Sequence, residues 1–532
     1  MRRTLVTAFI SIAGANIGYT MLAAIMTPIL VRILGPEGYG TYAVVMAVFG
    51  PLMILVSSGV DSGTRKYLAE DRDEENWQDN VFGFFFRLAV IFALMGSALL
   101  LVSVQTGLID IHPGEQYAFY FYLLAIVTIF AQFREIAHRA LLGLKLEHIS
   151  EPLFVLQKAL FFVFAISLAY LGYGVSGVLL GHIIADATIT VLGLILLSRH
   201  VSLSAIFERT PVEFPRKELL SFNNLSIVYI FLLTSLYHVD VLMLEAFVET
   251  EQVGYYKAAL VLAEFLWVAP KAVQSVMIQS ASEMWHNEQV ERITTLASKA
   301  TRYILLLTVI MALGIAVLSA EFVPRYYGSE FEGTITPLIL LLPGTVGFAV
   351  ARPILSVSHA RGDMRVMIFA TGAAAIMNVI LNALLIPQFG IEGAAVATSL
   401  GYISLPLFHL VGARKIGYNP MGDIRPVRIS ITTAGSGAAL LALTIGINAL
   451  IQSPLATIGI PIVGTELPID AAAIGFVVIP PAGLLVFATL TLATGAIHPK
   501  EIIDILRGMP EPLSRHVTTL QRIFGERDET GS

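Results

Sequence analysis

The sequence predicts an all-α polytopic membrane protein of about 14 spanning helices, on three observations. The first is composition: of 532 residues, 56% are hydrophobic and only 14% charged, with a mean hydropathy of +0.77. A soluble domain carries about 25% charged residues because its surface faces water. So little charge cannot cover a water-facing exterior, and most of this surface must face lipid. The second is a recurring stretch of roughly 20 or more apolar residues, the length that crosses a bilayer as a helix. The third is the placement of Lys and Arg, which alternates from one connection to the next.

In order, the apolar stretches are 5–34, 39–61, 80–106, 117–141, 152–171 and 173–198. Six more lie at 221–248, 254–282, 299–322, 334–358, 364–387 and 390–413, and two follow at 428–450 and 469–497. The first begins behind Met1-Arg2-Arg3, as a signal peptide would. It runs on to about Leu34, far beyond a signal core of roughly 7–15 residues, and reads as an uncleaved span. Net charge is −6, so no basic excess points to nucleic acid. With no Cys, disulfides, thiolate metal sites and a Cys nucleophile are excluded.

Basic residues are held on the cytoplasmic side during insertion. With the N-terminus inside, 26 of the 33 Lys and Arg fall on inner loops and adjoining helix ends, among them Arg65, Lys66, Arg139 and Lys145. Only Arg32, Lys257 and Arg325 fall outside. Both termini are therefore expected in the cytoplasm, in a cell (plasma) membrane protein. The domains read as an N-terminal lobe (1–199), an inner linker with Pro211 and Pro215 (200–220) and a C-terminal lobe (221–416). Two further spans (417–497) and a tail (498–532) complete the chain. In the tail, Leu513, Val517, Leu520 and Phe524 share one helical face, a pattern suited to lying on the inner membrane surface.

Two signatures recur. Pro36-Glu37-Gly38-Tyr39-Gly40-Thr41-Tyr42 follows the first span, and Thr250-Glu251-Gln252-Val253-Gly254-Tyr255-Tyr256 follows the seventh. Glu37, Gly40 and Tyr42 return with the same mutual spacing as Glu251, Gly254 and Tyr256. Gly174-Val175-Ser176-Gly177 precedes the sixth span, and Gly390-Ile391-Glu392-Gly393 the twelfth, at nearly the same interval along the chain. All four sit on the outer side at matching places in two six-helix halves. An even number of spans per half makes the repeats parallel, related by a pseudo-two-fold along the membrane normal. Two such lobes enclose a central cavity and alternate access by rocking.

At these residues the sequence resembles the polysaccharide-biosynthesis and oligosaccharide-lipid flippase family. That family belongs to the MATE-like superfamily, which also holds multidrug exporters. The stretches that carry the resemblance are 29–40, Ile-Leu-Val-Arg-Ile-Leu-Gly-Pro-Glu-Gly-Tyr-Gly, and 381–398, Leu-Asn-Ala-Leu-Leu-Ile-Pro-Gln-Phe-Gly-Ile-Glu-Gly-Ala-Ala-Val-Ala-Thr. It covers about residues 1–415. It implies a two-lobed flippase that moves a polyprenyl-phosphate- or diphosphate-linked oligosaccharide to the outer leaflet, for surface polysaccharide or glycoprotein assembly. Membrane lipids surround it, and glycosyltransferases or a polymerase of the same pathway are its expected partners. These are loop and packing motifs, so no binding residue follows from them.

Moving a sugar phosphate past hydrocarbon needs a wet, cationic cavity. A charge inside a span is costly unless it faces a cavity or a partner. Arg87, Lys158, Lys271 and Arg352 lie in the third, fifth, eighth and tenth spans, two per lobe, in the cytoplasmic half. Their alternatives are snorkelling to headgroups or structural pairing. Pro270 and Pro353 adjoin two of them, where a bend could serve gating. His182 and Asp186, four residues apart on one helix face, suit proton exchange. His238, Asp240 and Glu264 are further candidates for coupling to an H+ or Na+ gradient. Asn16, Asn378 and Asn382 are polar cavity candidates for sugar hydroxyls, with interhelical hydrogen bonding as the alternative. No cofactor and no metal are expected, and no Walker A, HExxH or GxSxG motif occurs.

Two other functions compete. A cation-coupled exporter of small organic cations would favour an acidic, aromatic cavity, whereas basic residues within these spans rival the acidic ones. A polytopic glycosyltransferase or polymerase would need a reactive constellation, often beside a sizeable outer domain, and no outer connection is long enough for one. A transporter, not an enzyme, is the expectation.

Overall fold

A computed structural model describes residues 5–107, 115–221, 224–451, 456–460 and 465–507. The α-helices of the first half are α1 (Leu5–Ala69), α2 (Trp77–Gln105), α3 (Glu115–Gly143), α4 (Glu147–Leu168) and α5 (Gly174–Leu197). After the linker come α6 (Arg216–Ser221), α7 (Asn224–Glu245), α8 (Thr250–Glu264), α9 (Val268–His286) and α10 (Val290–Tyr327). The last are α11 (Ile335–Arg361), α12 (Met364–Ile416), α13 (Pro426–Leu450), α14 (Ala471–Ala493) and α15 (Pro499–Arg507). Among the described residues, 11 continuous helical segments are long and apolar enough to cross a membrane. The sequence predicts about 14 because it separates three pairs of spans that here run on with only a glycine break.

Those breaks have local causes. Gly35 (φ 67°, ψ 176°) interrupts α1 immediately before Pro36, whose ring disfavours helical backbone in the preceding residue. Gly174 (φ 50°, ψ −131°) ends the turn between α4 and α5, and Gly390 (φ 56°, ψ −131°) breaks α12. Only glycine adopts that backbone at little cost. The two glycines stand at matching places in the two copies of one motif, and they share one unusual conformation. The chain doubles back at each: Gly181 packs on the backbone of Ala165, and Gly401 packs on Asn378.

The other repeated motif brings its two copies together. A Cβ added to Gly40 would lie 2.0 Å from the Thr250 carbonyl oxygen, and one added to Gly254 would lie 2.0 Å from that of Pro36. Exchanging each residue for its counterpart in the other copy turns one contact into the other. The pseudo-two-fold also extends inward. Tyr42 Oη lies 3.0 Å from His182 Nε2, while Tyr256 Oη lies 3.1 Å from Thr398 Oγ1. Residues 36–42 and 250–256 therefore sit side by side, as parallel repeats require. Near this crossing Arg32 donates to the carbonyls of Arg325 and Tyr326. Tyr326 Oη donates to the Ala24 carbonyl at 2.6 Å.

Two compact units form. The first comprises Met1–Leu262, Val323–Gly344 and Gly362–Gly412, and the second Ala263–Phe322, Thr345–Arg361 and Ala413–Ser532. The first unit thus holds both copies of each motif. Its core includes Val60, Phe82, Phe85 and Ile136 in one cluster and Phe161, Ala165, Val178 and Ala185 in another. One departure from an all-α chain is a hairpin of β1 (Ala456–Ile460) and β2 (Thr465–Ile469), paired antiparallel. Its β-branched Thr and Ile suit a strand, where the apolar pattern alone predicts a connection between two spans.

In the second unit, charges hold α15 in place. Arg302 of α10 is fully buried, 3.0 Å from Asp423 Oδ2 and 2.8 Å from Glu501 Oε1. Arg425 reaches the same Glu501 oxygen at 2.9 Å. Burial, the largest single influence, would raise the Glu501 pKa, but hydrogen bonds from Arg302 and the His498 N–H together with the charges of Arg302 and Arg425 hold the carboxyl below its usual value near 4.5. A depressed carboxylate stabilises the fold above its unfolded pKa and loses that contribution as pH falls through the folded value. Arg302→Ala is therefore expected to cost about 1–3 kcal/mol, because Arg425 still partners both Asp423 and Glu501. Thermal unfolding of the variant should also lose part of the wild type's decline below about pH 4.5. The tail segment 512–524 lies outside the described residues.

Candidate functional site

The C-terminal half of α1 presents Ile54, Ser57, Asp61, Ser62, Arg65, Lys66 and Ala69 along one helical stripe, at the three- and four-residue spacing that lines up side chains. Facing it are Arg139 and Leu142 of α3, Lys145 and Glu147 of the next turn, and Ile230 of α7. Together they line a cavity of about 720 Å³, within the usual range for ligand sites of roughly 300–1,000 Å³. Four cations and two carboxylates give its wall a net positive charge. Lys145 is held at φ 60°, a conformation that normally costs a non-glycine residue about 1–2 kcal/mol. It directs a cation into the wall where a helix-ending turn would favour glycine.

Behind this wall lies a buried ionic network. Glu135 accepts from Arg134 Nη1 at 3.0 Å and from Arg139 Nη2 at 2.7 Å. Arg134 Nε sits 3.0 Å from Asp186 Oδ1, which also accepts from Gln157 Nε2 at 2.8 Å. The cavity's Arg139 is thus oriented by Glu135, and Arg134 is neutralised by two carboxylates. Asp61 is 9% exposed, and its Oδ1 has no hydrogen-bond partner.

The residues singled out in the sequence are placed as follows. Arg87 donates to the carbonyls of Ala205, Ile206 and Glu208 at 2.7, 3.0 and 2.6 Å, so it ties α2 to the linker. Lys158 Nζ lies 4.9–5.1 Å from the ring centres of Tyr19, Phe161 and Phe162. In the second unit, Lys271 lies 5.7 Å from the Trp267 ring. Arg352 donates to Gln274 Oε1 at 2.7 Å beneath Trp267 and Phe348. His182 and Asp186 share a helix face but bond elsewhere: His182 to Tyr42 and against Phe161, Asp186 to Arg134 and Gln157. Each takes its partners from neighbouring helices. His238 packs at Gly50, and Glu264 exerts charge on Lys271. Asn16 lies in α1, and its side chain is outside the described residues.

Asp240, Asn378, Asn382 and Thr398 converge. Asp240 accepts from the Tyr256 hydroxyl, from Thr398 Oγ1 at 3.2 Å and from the Val241 N–H at 2.8 Å. Asn378 Nδ2 donates to Thr398 at 3.4 Å, and Asn382 Nδ2 donates to Asn378 Oδ1 at 3.2 Å. The Asn382 Oδ1 is buried without a partner.

The fold and its charged cavity define a multi-pass helical membrane protein. Solved structures share that fold. The lipid II flippase MurJ, in an inward closed conformation, superposes with a TM-score of 0.68 at 14% identity, over 94% of this chain and 100% of that one. A multidrug resistance MATE family transporter in an inward-facing conformation reaches 0.65 at 15% identity, over 77% of this chain and 98% of that one. A MOP superfamily transporter from Pyrococcus furiosus reaches 0.57 at 15% identity, over 77% and 95%. The probable low-salt glycan biosynthesis flippase Agl15 of Haloferax volcanii is 29% identical over 170 residues, 32% of this chain. The match spans 36%, about a third, of that relative's length. The family model described as polysaccharide biosynthesis protein matches residues 29–336, more than half of the chain. The chain belongs to that family.

Proposed function

We propose that the protein is a flippase for a polyprenyl-linked oligosaccharide, a transporter rather than an enzyme. It would carry the polar head from the inner to the outer leaflet by alternating access of the lobes 1–199 and 221–416, with both termini cytoplasmic. The observation that carries this reading is the net-positive cavity at the end of α1 where basic residues concentrate. Cations there offset the cost of drawing a phosphate from the headgroup region, while the prenyl tail stays in lipid. Family membership and the flippase names of Agl15 and MurJ support the same reading. Glycosyltransferases that build such a lipid, and a polymerase that consumes it, would be its pathway partners.

An exporter of organic cations is disfavoured by the same wall charge. The two readings part in one experiment: reconstituted protein is given a fluorescent polyprenyl-diphosphate sugar and, separately, ethidium. Flipping of the lipid without ethidium efflux supports the flippase. The reverse pattern would replace it with the exporter.

We assign coupling, to a proton or Na+, to Asp240. Asp186 is ion-paired to Arg134, whereas among the described residues Asp240 accepts hydrogen bonds from neutral donors and feels Lys257 through charge alone. A buried carboxylate without a direct ion pair is costly unless it binds a cation. At the positions in the first half that correspond to Asp240, Asn378 and Asn382 stand Met26, Phe162 and Ile166, so the carboxylate and the amides of this site have no counterparts there. Asp240→Asn is expected to abolish the dependence of flipping on an imposed ion gradient, with the folded yield unchanged. Retained gradient dependence would move coupling elsewhere.

A further inference from the structure

We infer that Asp61 is a sugar-recognition subsite, accepting a hydroxyl of the carbohydrate attached to the lipid phosphate. This rests on the flippase reading above and specifies which part of the cargo the cavity reads. Asp61 lies one turn before Arg65 on the stripe of α1 that lines the cavity, between Ser57 and Ser62. Ser57, one turn earlier, is the carboxylate's own side-chain partner. More than nine-tenths of the Asp61 surface is buried, yet Oδ1 is left without a donor. A buried acceptor with no donor is destabilising, and more so when it is charged. A group supplied by a ligand removes that cost.

The neighbouring cations do not serve Oδ1. Arg139 Nη2 and Arg134 Nη1 are engaged by Glu135, and Arg134 Nε faces Asp186; among the described residues Arg139 Nε makes no hydrogen bond, to Oδ1 or elsewhere. What Oδ1 lacks is a neutral donor, since a phosphate oxygen would be repelled by the carboxylate. The cavity is therefore bipolar along α1: a carboxylate at Asp61, then exposed cations at Arg65 and Lys66, with Lys145 opposite. A sugar bonded directly to phosphate matches that order, placing hydroxyl donors a few ångströms from the anion. A bare polyprenyl phosphate matches only the cationic part, and an organic cation only the carboxylate.

The test uses full-length protein in nanodiscs and two probes, a short polyprenyl diphosphate bearing one N-acetylhexosamine and the same lipid without sugar. Wild type is expected to bind the sugar-bearing lipid about tenfold more tightly, the worth of one hydrogen bond to a charged acceptor. Asp61→Asn should remove that preference, while Arg65→Ala should weaken both lipids. Asp61→Ser, which is smaller and uncharged, serves as a second variant should the amide misfold. Three results would overturn the inference: equal binding of both lipids by wild type, an unchanged preference in both Asp61 variants, or equal weakening of both lipids by them. If wild type bound neither lipid, the flippase reading itself would fail.

Discussion

Replacing Arg65 and Lys145 together by alanine is expected to reduce flipping of a polyprenyl-diphosphate sugar about a hundredfold, with the protein still folded. Both side chains are exposed to the cavity and lie outside the buried Glu135 network, so their loss removes binding charge without breaking an ion pair of that network. Each charge-assisted contact to phosphate contributes about 1.5–3 kcal/mol, toward the low end where water reaches it. Arg65→Lys should retain much of the activity, because charge matters more here than the guanidinium fork. Arg87→Ala should act differently. Its three carbonyl partners belong to the linker, so lower thermal stability is expected before any effect on affinity. Flipping rates and melting temperatures of the variants separate the two outcomes.

Alanine at Gly40 or at Gly254 is expected to cost about 2–3 kcal/mol each and to impair transport, because no Cβ fits the crossing. Each added carbon would lie 2.0 Å from a carbonyl oxygen of the opposite repeat. Backbone, unlike a flexible side chain, cannot step aside without parting α1 from α8. Both substitutions strain one crossing, and once the helices have separated the second Cβ meets little further resistance. The double variant should therefore lose clearly less than the sum of the single losses. Full additivity in a thermal double-mutant cycle would mean that the repeats do not meet there.

Much of this architecture is legible in the sequence, and the reasons differ by element. The turns at Gly174 and Gly390 show because a conformation open only to glycine leaves its mark on the chain. The shared offset of the Gly40 and Gly254 motifs marks equivalent places in two repeats, but does not show that the two copies cross. Helix count is harder to read. A glycine that reverses a chain need not interrupt its hydrogen-bonded run for long, so the segments of α1 and α12 continue through it. The β1–β2 hairpin escapes the apolar pattern because its short strands carry no strong alternation.

The candidate site is legible only in part. Sequence places Arg65, Lys66, Arg139 and Lys145 on one membrane face, but does not gather them into the wall of one cavity. The available signal is the spacing 54, 57, 61, 65 and 69 on a single face, with Ser and Asp among apolar neighbours. Arg134 and Asp186 lie on different helices, α3 and α5, and nothing local reveals that they pair. His182 and Asp186 show the limit of spacing arguments. Four residues apart puts two side chains on one face, but the adjoining helices decide their partners.

The most direct test of cargo capture exploits the absence of native cysteine. Ser62→Cys in the cavity wall and Leu99→Cys on the exposed face of α2 would each carry a benzophenone label. Membranes loaded with radiolabelled lipid-linked oligosaccharide would then be irradiated. Capture of the polar head in this cavity predicts a crosslink to the sugar moiety from position 62 that unlabelled lipid competes away, and none from position 99. Equal labelling from both positions, or none from position 62, would contradict it.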